Sequence, residues 1–191
     1  MNKALFLDRD GVINVDHGYV YQASDFDFID GIFDLVQRAN KQGYKVIVIT
    51  NQSGIGRGMY TELDFAELSE WMVLKFAQRG AIINDVLFCP HHPQAILEQY
   101  KKECECRKPN PGMLNIAASK HNISLTDSIM VGDKLSDVKT AIKAGLQKVV
   151  WFAPEFIEPI KVSAAESKVK SQSCEQTSIT LTHSLFTIIN S

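Results

Sequence analysis

The chain has 191 residues, enough for one domain with a substantial core. Apolar residues make up 45% and charged residues 22%, and a net charge of −2 without a long basic run argues against binding nucleic acid by phosphate neutralisation. The longest apolar runs, such as residues 46–49, fall far short of the roughly 20 residues that span a bilayer, so no membrane contact is expected.

Residues 4–7 predict a first strand, followed at once by Asp8-Arg9-Asp10-Gly11. The chain enters a strand and a polar motif rather than a secretory signal, and a cytoplasmic location is expected. Residues two apart on extended backbone project to the same side, so Asp8 and Asp10 would emerge together at a strand end. Like charges held that close are costly unless a cation or a shared proton offsets them. Mg²⁺, a hard oxygen-seeking ion, suits such a pair, above all with a phosphate as co-ligand. The plainer alternative is two strand-end aspartates capping a turn. Asp16-His17-Gly18-Tyr19 reads, taken alone, as a polar turn.

Residues 31–42 have a helical pattern, with Ile32, Leu35, Val36 and Ala39 on one face and Gly43 as its stop. The β-branched run 45–50 predicts a buried parallel strand. It leads into Thr50-Asn51-Gln52-Ser53-Gly54-Ile55-Gly56-Arg57-Gly58, where a hydroxyl, backbone N–H groups and glycines can cradle phosphate oxygens. The alternative is a flexible glycine-rich loop, and the Lys-Ser/Thr ending of a nucleotide-triphosphate P-loop is missing. A longer helix is expected over 61–79, with Thr61 as N-cap and Gly80 behind it.

A strand at 85–88 runs into Cys89-Pro90-His91-His92, and Cys104-Glu105-Cys106 follows. Three thiols and an imidazole (Cys89, His91, Cys104, Cys106) form a tetrahedral structural zinc set with no open position, His92 being the competing ligand. Disulfides are the alternative, disfavoured in the cytoplasm. Arg107-Lys108 then supplies two cations, either solvated or aimed at anionic groups. A zinc clip closing the loop before them would fix their positions.

A helix over 111–121, a strand at 128–131, a helix over 136–144 closed by Gly145 and a strand at 147–151 complete the alternation. Asp133, after the 128–131 strand, offers a third carboxylate for Mg²⁺, and Asp137 either orients the site or merely favours the helix dipole. The stretch 160–178 is rich in Ser, Lys and Glu and reads as a surface excursion, before a strand at 179–181 and a helix at 183–190. Cys174 reads as an ordinary thiol, and His121 and His183 as surface or capping residues. Strands spaced by helices imply a Rossmann-like, doubly wound α/β fold with a mostly parallel sheet and a small zinc-loop insert at about 89–106. One domain over 1–191 and a monomer are expected, with ligands beyond the carboxyl ends of the strands.

The segments D-R-D-G, T-N-Q-S, R-K-P and G-D-K-x-x-D, in this order, resemble the haloacid dehalogenase phosphatase superfamily. The longer strings D-R-D-G-V-I-N-V-D-H-G-Y-V, T-N-Q-S-G-I-G-R-G, C-P-H-H-P, C-x-C-R-K-P-x-P-G-M-L and M-V-G-D-K-L-S-D resemble the D-glycero-D-manno-heptose-1,7-bisphosphate 7-phosphatase family. That resemblance implies removal of the C7 phosphate from a small sugar bisphosphate, leaving heptose 1-phosphate for nucleotide-activated heptose and lipopolysaccharide core synthesis. It implies Asp8 as nucleophile, Asp10 as acid and then base, and Thr50 and Lys108 holding the phosphoryl group. Mg²⁺ would be held by Asp8, Asp133 and the Asp10 carbonyl. Asp16, His17, Gly18, Tyr19, Thr50, Asn51, Gln52, Ser53, Arg107, Lys108 and Lys134 are implied to contact substrate. The histidinol-phosphatases are the nearest rival resemblance. A zinc-stabilised binding module without activity is the rival class.

Overall fold

The computed structural model describes residues 1–153 and 156–161. The expected strand at 179–181, the helix at 183–190, Cys174, His183 and positions 162–178 of the polar stretch lie outside them. Six strands form one sheet: β1 (Lys3–Leu7), β2 (Tyr44–Asn51), β3 (Asp85–Cys89), β4 (Ile129–Gly132), β5 (Lys148–Ala153) and β6 (Phe156–Lys161), in the order β3-β2-β1-β4-β5-β6. The first five run parallel, and β6 pairs antiparallel with β5 at the edge. The sequence pattern did not reveal β6, whose residues 160–161 were read as the start of the polar excursion. Pro159 at its centre masks it: without an N–H, proline is tolerated in a strand only where the sheet ends.

Strand alternation explains the layers. Leu5, Leu7, Val46, Val48 and Val131 face one way, onto α1 (Ile32–Lys41) and α3 (Glu62–Ala77), where Leu35, Val36, Met72 and Phe76 meet them. Ala4, Phe6, Ile47, Ile49 and Met130 face the other way, onto α4 (Gly112–His121) and α5 (Leu135–Lys143). Strands covered on both faces must be apolar at successive positions, which is why the run at β2 carries no alternation. A fifth helix, α2 (Ser53–Gly56), is a single turn directly after β2.

Helix ends follow the sequence signals closely. Thr61 caps α3: its Oγ1 accepts from Asp64 N at 3.1 Å while the Asp64 carboxylate accepts from Thr61 N at 2.7 Å. Between β1 and α1 the chain folds back as a short flap, with Val15 N donating to Asp27 O and Ile29 N to Ile13 O. Phe26 and Phe28 seat this flap on Trp71 and Phe76 of α3 and on Phe33 of α1.

Candidate active site

β1 has β2 on one side and β4 on the other, so the chain's connections diverge there and leave a crevice at the carboxyl ends of the strands. Asp8 follows β1, Thr50 lies on β2 and Asp133 follows β4. Asp8 N still donates to Val131 O at 3.0 Å, which carries the sheet pairing up to the site.

Lys108 joins these strand ends. Its Nζ forms ion pairs with Asp8 Oδ1 at 2.9 Å and Asp137 Oδ1 at 2.6 Å and donates to Ile49 O at 3.1 Å. Asn51 fixes the Lys108 backbone by accepting from its N at 3.0 Å and donating to its O at 3.1 Å. Burial alone would push the Lys108 pKa down, but Asp8 and Asp137 overcome it and hold the ammonium above its usual range. Burial raises Asp8, and the Asp137 charge adds to it against the opposing pull of Lys108. Asp133 is pushed up to about 7 by burial and then by the Asp8 charge.

Oxygens of Asp8, Asp133 and Asp137 lie within 4.8 Å of one another, and Asp133 Oδ1 is buried without a hydrogen-bond partner. Lys108 within the cluster and Lys134 at its edge, 3.7 Å from Asp133 Oδ2, set two cations against three carboxylates. This leaves the cluster short of positive charge, and hard anionic oxygens suit Mg²⁺. The residues therefore fit that ion. The carboxylate of Asp10 is not among the three; Asp137, read from the sequence as an orienting acid, is.

Two glycines permit this crowding. A Cβ on Gly11, where φ is +92°, would fall 2.3 Å from Asp133 Oδ2. A Cβ on Gly132 would fall 2.2 Å from Asp137 Cβ.

Asp10 points into a separate set of donors. Its Oδ1 accepts from Arg9 Nε at 3.1 Å, Arg9 Nη2 at 2.8 Å and Asn14 Nδ2 at 3.1 Å. Its Oδ2 accepts from Gln52 Nε2 at 3.1 Å, and the same amide donates to Thr50 Oγ1 at 2.8 Å. Arg9, 1% exposed, also donates to Val20 O and lies over the Phe65 ring. In the sequence Arg9 reads as a spacer between two aspartates, and Asn14 and Tyr60 carry no local signal. Only the assembled fold brings them to the site.

Around the mouth, Lys134 Nζ lies 2.9 Å from Asp16 Oδ2 and 3.7 Å from Asp133 Oδ2. Asp16 Oδ1 accepts from Gly18 N, and Gly18 and Tyr19 both have positive φ, a tight turn that leaves Tyr19 exposed. Burial would raise Asp16, but Lys134 outweighs it and holds the carboxyl below its usual value. His17 turns outward to Asp27 at 2.8 Å. Ser53 opens α2.

In the Cys/His loop, Cys89, His91 and Cys104 bring ligand atoms within 4.8 Å of one another. Cys106 stands beside Cys104, its N donating to Cys104 Sγ at 3.4 Å, but is outside that compact trio. His92 Nδ1 accepts from Gln94 N at 3.0 Å, so His91 is the imidazole facing the thiols. Cys89, Cys104 and Cys106 are free thiols, and burial pushes Cys89 up to about 12. A sulfur-rich set with one imidazole fits zinc. Arg107 Nη1 donates to His91 O at 3.1 Å, tying the adjacent cation to this loop.

The HAD-hydrolase-like family model matches residues 105–151, which carry Lys108, Asp133 and Asp137. A Photorhabdus laumondii protein named D-glycero-beta-D-manno-heptose-1,7-bisphosphate 7-phosphatase is 51% identical over 141 residues, 74% of this chain and 75% of that one. The Escherichia coli K12 protein of the same name is 46% identical over 164 residues, 85% of this chain and 86% of its own. Among solved structures, the D,D-heptose 1,7-bisphosphate phosphatase of B. bronchiseptica, complexed with magnesium and phosphate, superposes with a TM-score of 0.68 at 32% identity. That match covers 75% of this chain and 77% of the other.

Proposed function

The chain belongs to the D-glycero-beta-D-manno-heptose-1,7-bisphosphate 7-phosphatase family of HAD-like hydrolases, and from this we propose how its residues carry out the reaction. It is a Mg²⁺-dependent phosphatase that removes the C7 phosphate of a heptose 1,7-bisphosphate. The β anomer is the preferred substrate, as the relatives' names support. A heptose 1-phosphate is the kind of product that nucleotidyl transfer consumes, on the way to surface glycans such as lipopolysaccharide core.

Asp8 attacks the C7 phosphorus. The bond from phosphorus to the C7 oxygen breaks as Asp10 gives that oxygen a proton, leaving a phosphoaspartate and heptose 1-phosphate. Asp10 then takes a proton from water, the oxygen of that water attacks phosphorus, and the acyl-phosphate bond breaks to restore Asp8. Thr50 and Lys108 hold the transferring group, and Lys108 offsets charge on Asp8 while Asp137 orients the lysine. Asp8, Asp133 and the Asp10 carbonyl would hold Mg²⁺, which when bound supplies charge stabilisation for the phosphoryl oxygens. Asp16, His17, Gly18, Tyr19, Asn51, Ser53, Arg107 and Lys134 form the substrate-binding rim, and Gln52, buried beneath it, serves it by donating to Asp10 and Thr50. Asn51 acts there by placing Lys108. Cys89, His91, Cys104 and Cys106 hold a structural zinc that places Arg107. The protein works as a cytoplasmic monomer of one domain, with no nucleic-acid partner; among the described residues no helix is long and apolar enough to cross a membrane.

The observation carrying this reading is the cluster of Asp8, Asp133 and Asp137 at the switch point of the sheet, with Lys108 paired to Asp8 and Asp137. Nothing in the site favours histidinol phosphate or an inactive module. A general acid contributes about 10²–10⁴ in rate. Asp10→Asn should therefore lose about that factor on the sugar phosphate, while Asp8→Asn should lose all turnover with its circular dichroism unchanged. Near-normal release of phosphate by Asp8→Asn would sink the nucleophile assignment.

A further inference from the structure

We propose that Tyr60 is a positioning residue for the proton-transfer step, acting through the side-chain amide of Gln52, which it locks in the one orientation that donates to both Asp10 and Thr50. The proposal rests on the assignment of Asp10 as the proton donor. Gln52 is 1% exposed, and its three heteroatom contacts form a closed set: Tyr60 Oη donates to Oε1, while Nε2 donates to Asp10 Oδ2 at 3.1 Å and to Thr50 Oγ1 at 2.8 Å. An amide has nearly the same shape either way round, so sterics alone do not select the orientation. Turned over, it would set its carbonyl oxygen against the Asp10 carboxylate. The phenol, which burial pushes up to about 12, keeps its proton and calls for an acceptor, so it pins Oε1 on its own side.

Tyr60 is itself held rigidly. Its ring stacks on Tyr21 at 5.3 Å with 7° between planes, and it packs with Ile55 and Phe65. It also lies so close to Gly54 that a Cβ there would fall 2.2 Å from a ring carbon. This gives Gly54 a reason to be glycine other than phosphate contact. Arg9 holds both Asp10 oxygens, with Nη2 3.0 Å from Oδ2, and Asn14 holds Oδ1. Gln52, set by the anchored phenol, completes the donors on Oδ2 and links them to Thr50. This aims the group whose proton must reach the C7 oxygen as the phosphorus–oxygen bond breaks and the bond to Asp8 forms.

Tyr60→Phe keeps the ring and removes only the donor. The discriminating readout is leaving-group dependence. A sugar alkoxide needs a proton as it leaves, whereas p-nitrophenolate does not, and kcat/KM reports this first half-reaction. For Tyr60→Phe, kcat/KM is expected to fall about tenfold or more on the heptose bisphosphate and less than about threefold on p-nitrophenyl phosphate. Gln52→Leu should show the same selectivity, and the double variant should be no worse than Gln52→Leu alone, because the two residues act in series. Equal losses on both substrates, or losses that multiply in the double variant, would overturn the proposal. Absence of heptose bisphosphate turnover by the unaltered protein would instead overturn the substrate reading. Glycerol phosphate, also an alkyl ester, then serves as the comparison with p-nitrophenyl phosphate and still decides the role of Tyr60.

Discussion

Lys108 and the carboxylates around it carry the sharpest consequences of single-residue change. Lys108 is 3% exposed, and its ammonium offsets two buried acids, Asp8 and Asp137. Removing one partner of a buried ion pair costs about 3–5 kcal/mol, because the remaining charge stays out of water. Lys108→Met should lower the denaturation free energy of the metal-free protein by about that amount and abolish turnover; a stability loss under about 1 kcal/mol would contradict the charge balance described. Asp133 bears on pH. Its carboxyl is raised to about 7, above its unfolded value, so in the metal-free protein ionising it as pH rises through that value costs stability. Mg²⁺ requires the ionised form, so proton and metal compete below about pH 7. Calorimetric titration should show Mg²⁺ binding roughly tenfold weaker at pH 6 than at pH 8, with proton release; a pH-independent affinity would remove Asp133 from the metal site. Asp8, Asp10, Thr50 and Asp133 were legible as motif residues because each follows or ends a strand, and Lys108 because it stands in the Arg107-Lys108-Pro109 run ahead of a helix. Arg9, Asn14 and Tyr60 were not, since their partners are distant in the sequence or lie on side-chain atoms that no periodicity encodes.

At the scale of elements, the corner from β4 to α5 shows why a motif has its spacing. Gly132 ends β4 and lets Asp137, one turn into α5, come back against the strand end, where its other oxygen accepts from Lys134 N at 2.9 Å. Gly132→Ala should push Asp137 away from Lys108, costing about 1–3 kcal/mol of stability by overpacking and most of the activity. Wild-type kcat/KM in that variant would show that the close approach is dispensable. The Cys/His loop is the second such element. Cys104→Ser should release bound zinc, measured by mass spectrometry of the native protein, and lower the thermal midpoint, because the loop carrying Arg107 and Lys108 loses its closure. Retention of stoichiometric zinc with an unchanged midpoint would contradict a structural role. The sequence pattern placed α1, α3, α4 and α5 to within about two residues, as caps and glycine stops allow. It passed over α2, because four residues are too few to show a helical period.

For the whole molecule, the parallel, doubly wound character of the sheet was implied by the alternation of strands and helices, while the strand order, from which the crevice at β1 follows, is seen only in the fold. The antiparallel sixth strand was not implied, since a strand containing proline at the edge of a sheet has no strong apolar pattern. The two helical layers hold β1, β2 and β4 in register, and α5 also supplies Asp137 to the site. The central account is that this scaffold brings Asp8, Asp10, Thr50, Lys108 and Asp133 together to release one phosphate of a heptose bisphosphate. The most direct test is ³¹P NMR of the product after Mg²⁺-dependent turnover of α- and β-heptose 1,7-bisphosphate, with histidinol phosphate as control. The account predicts loss of the C7 signal alone, retention of the C1 phosphate, faster turnover of the β anomer, and little release from histidinol phosphate. Release of the C1 phosphate, or preferential hydrolysis of histidinol phosphate, would contradict it.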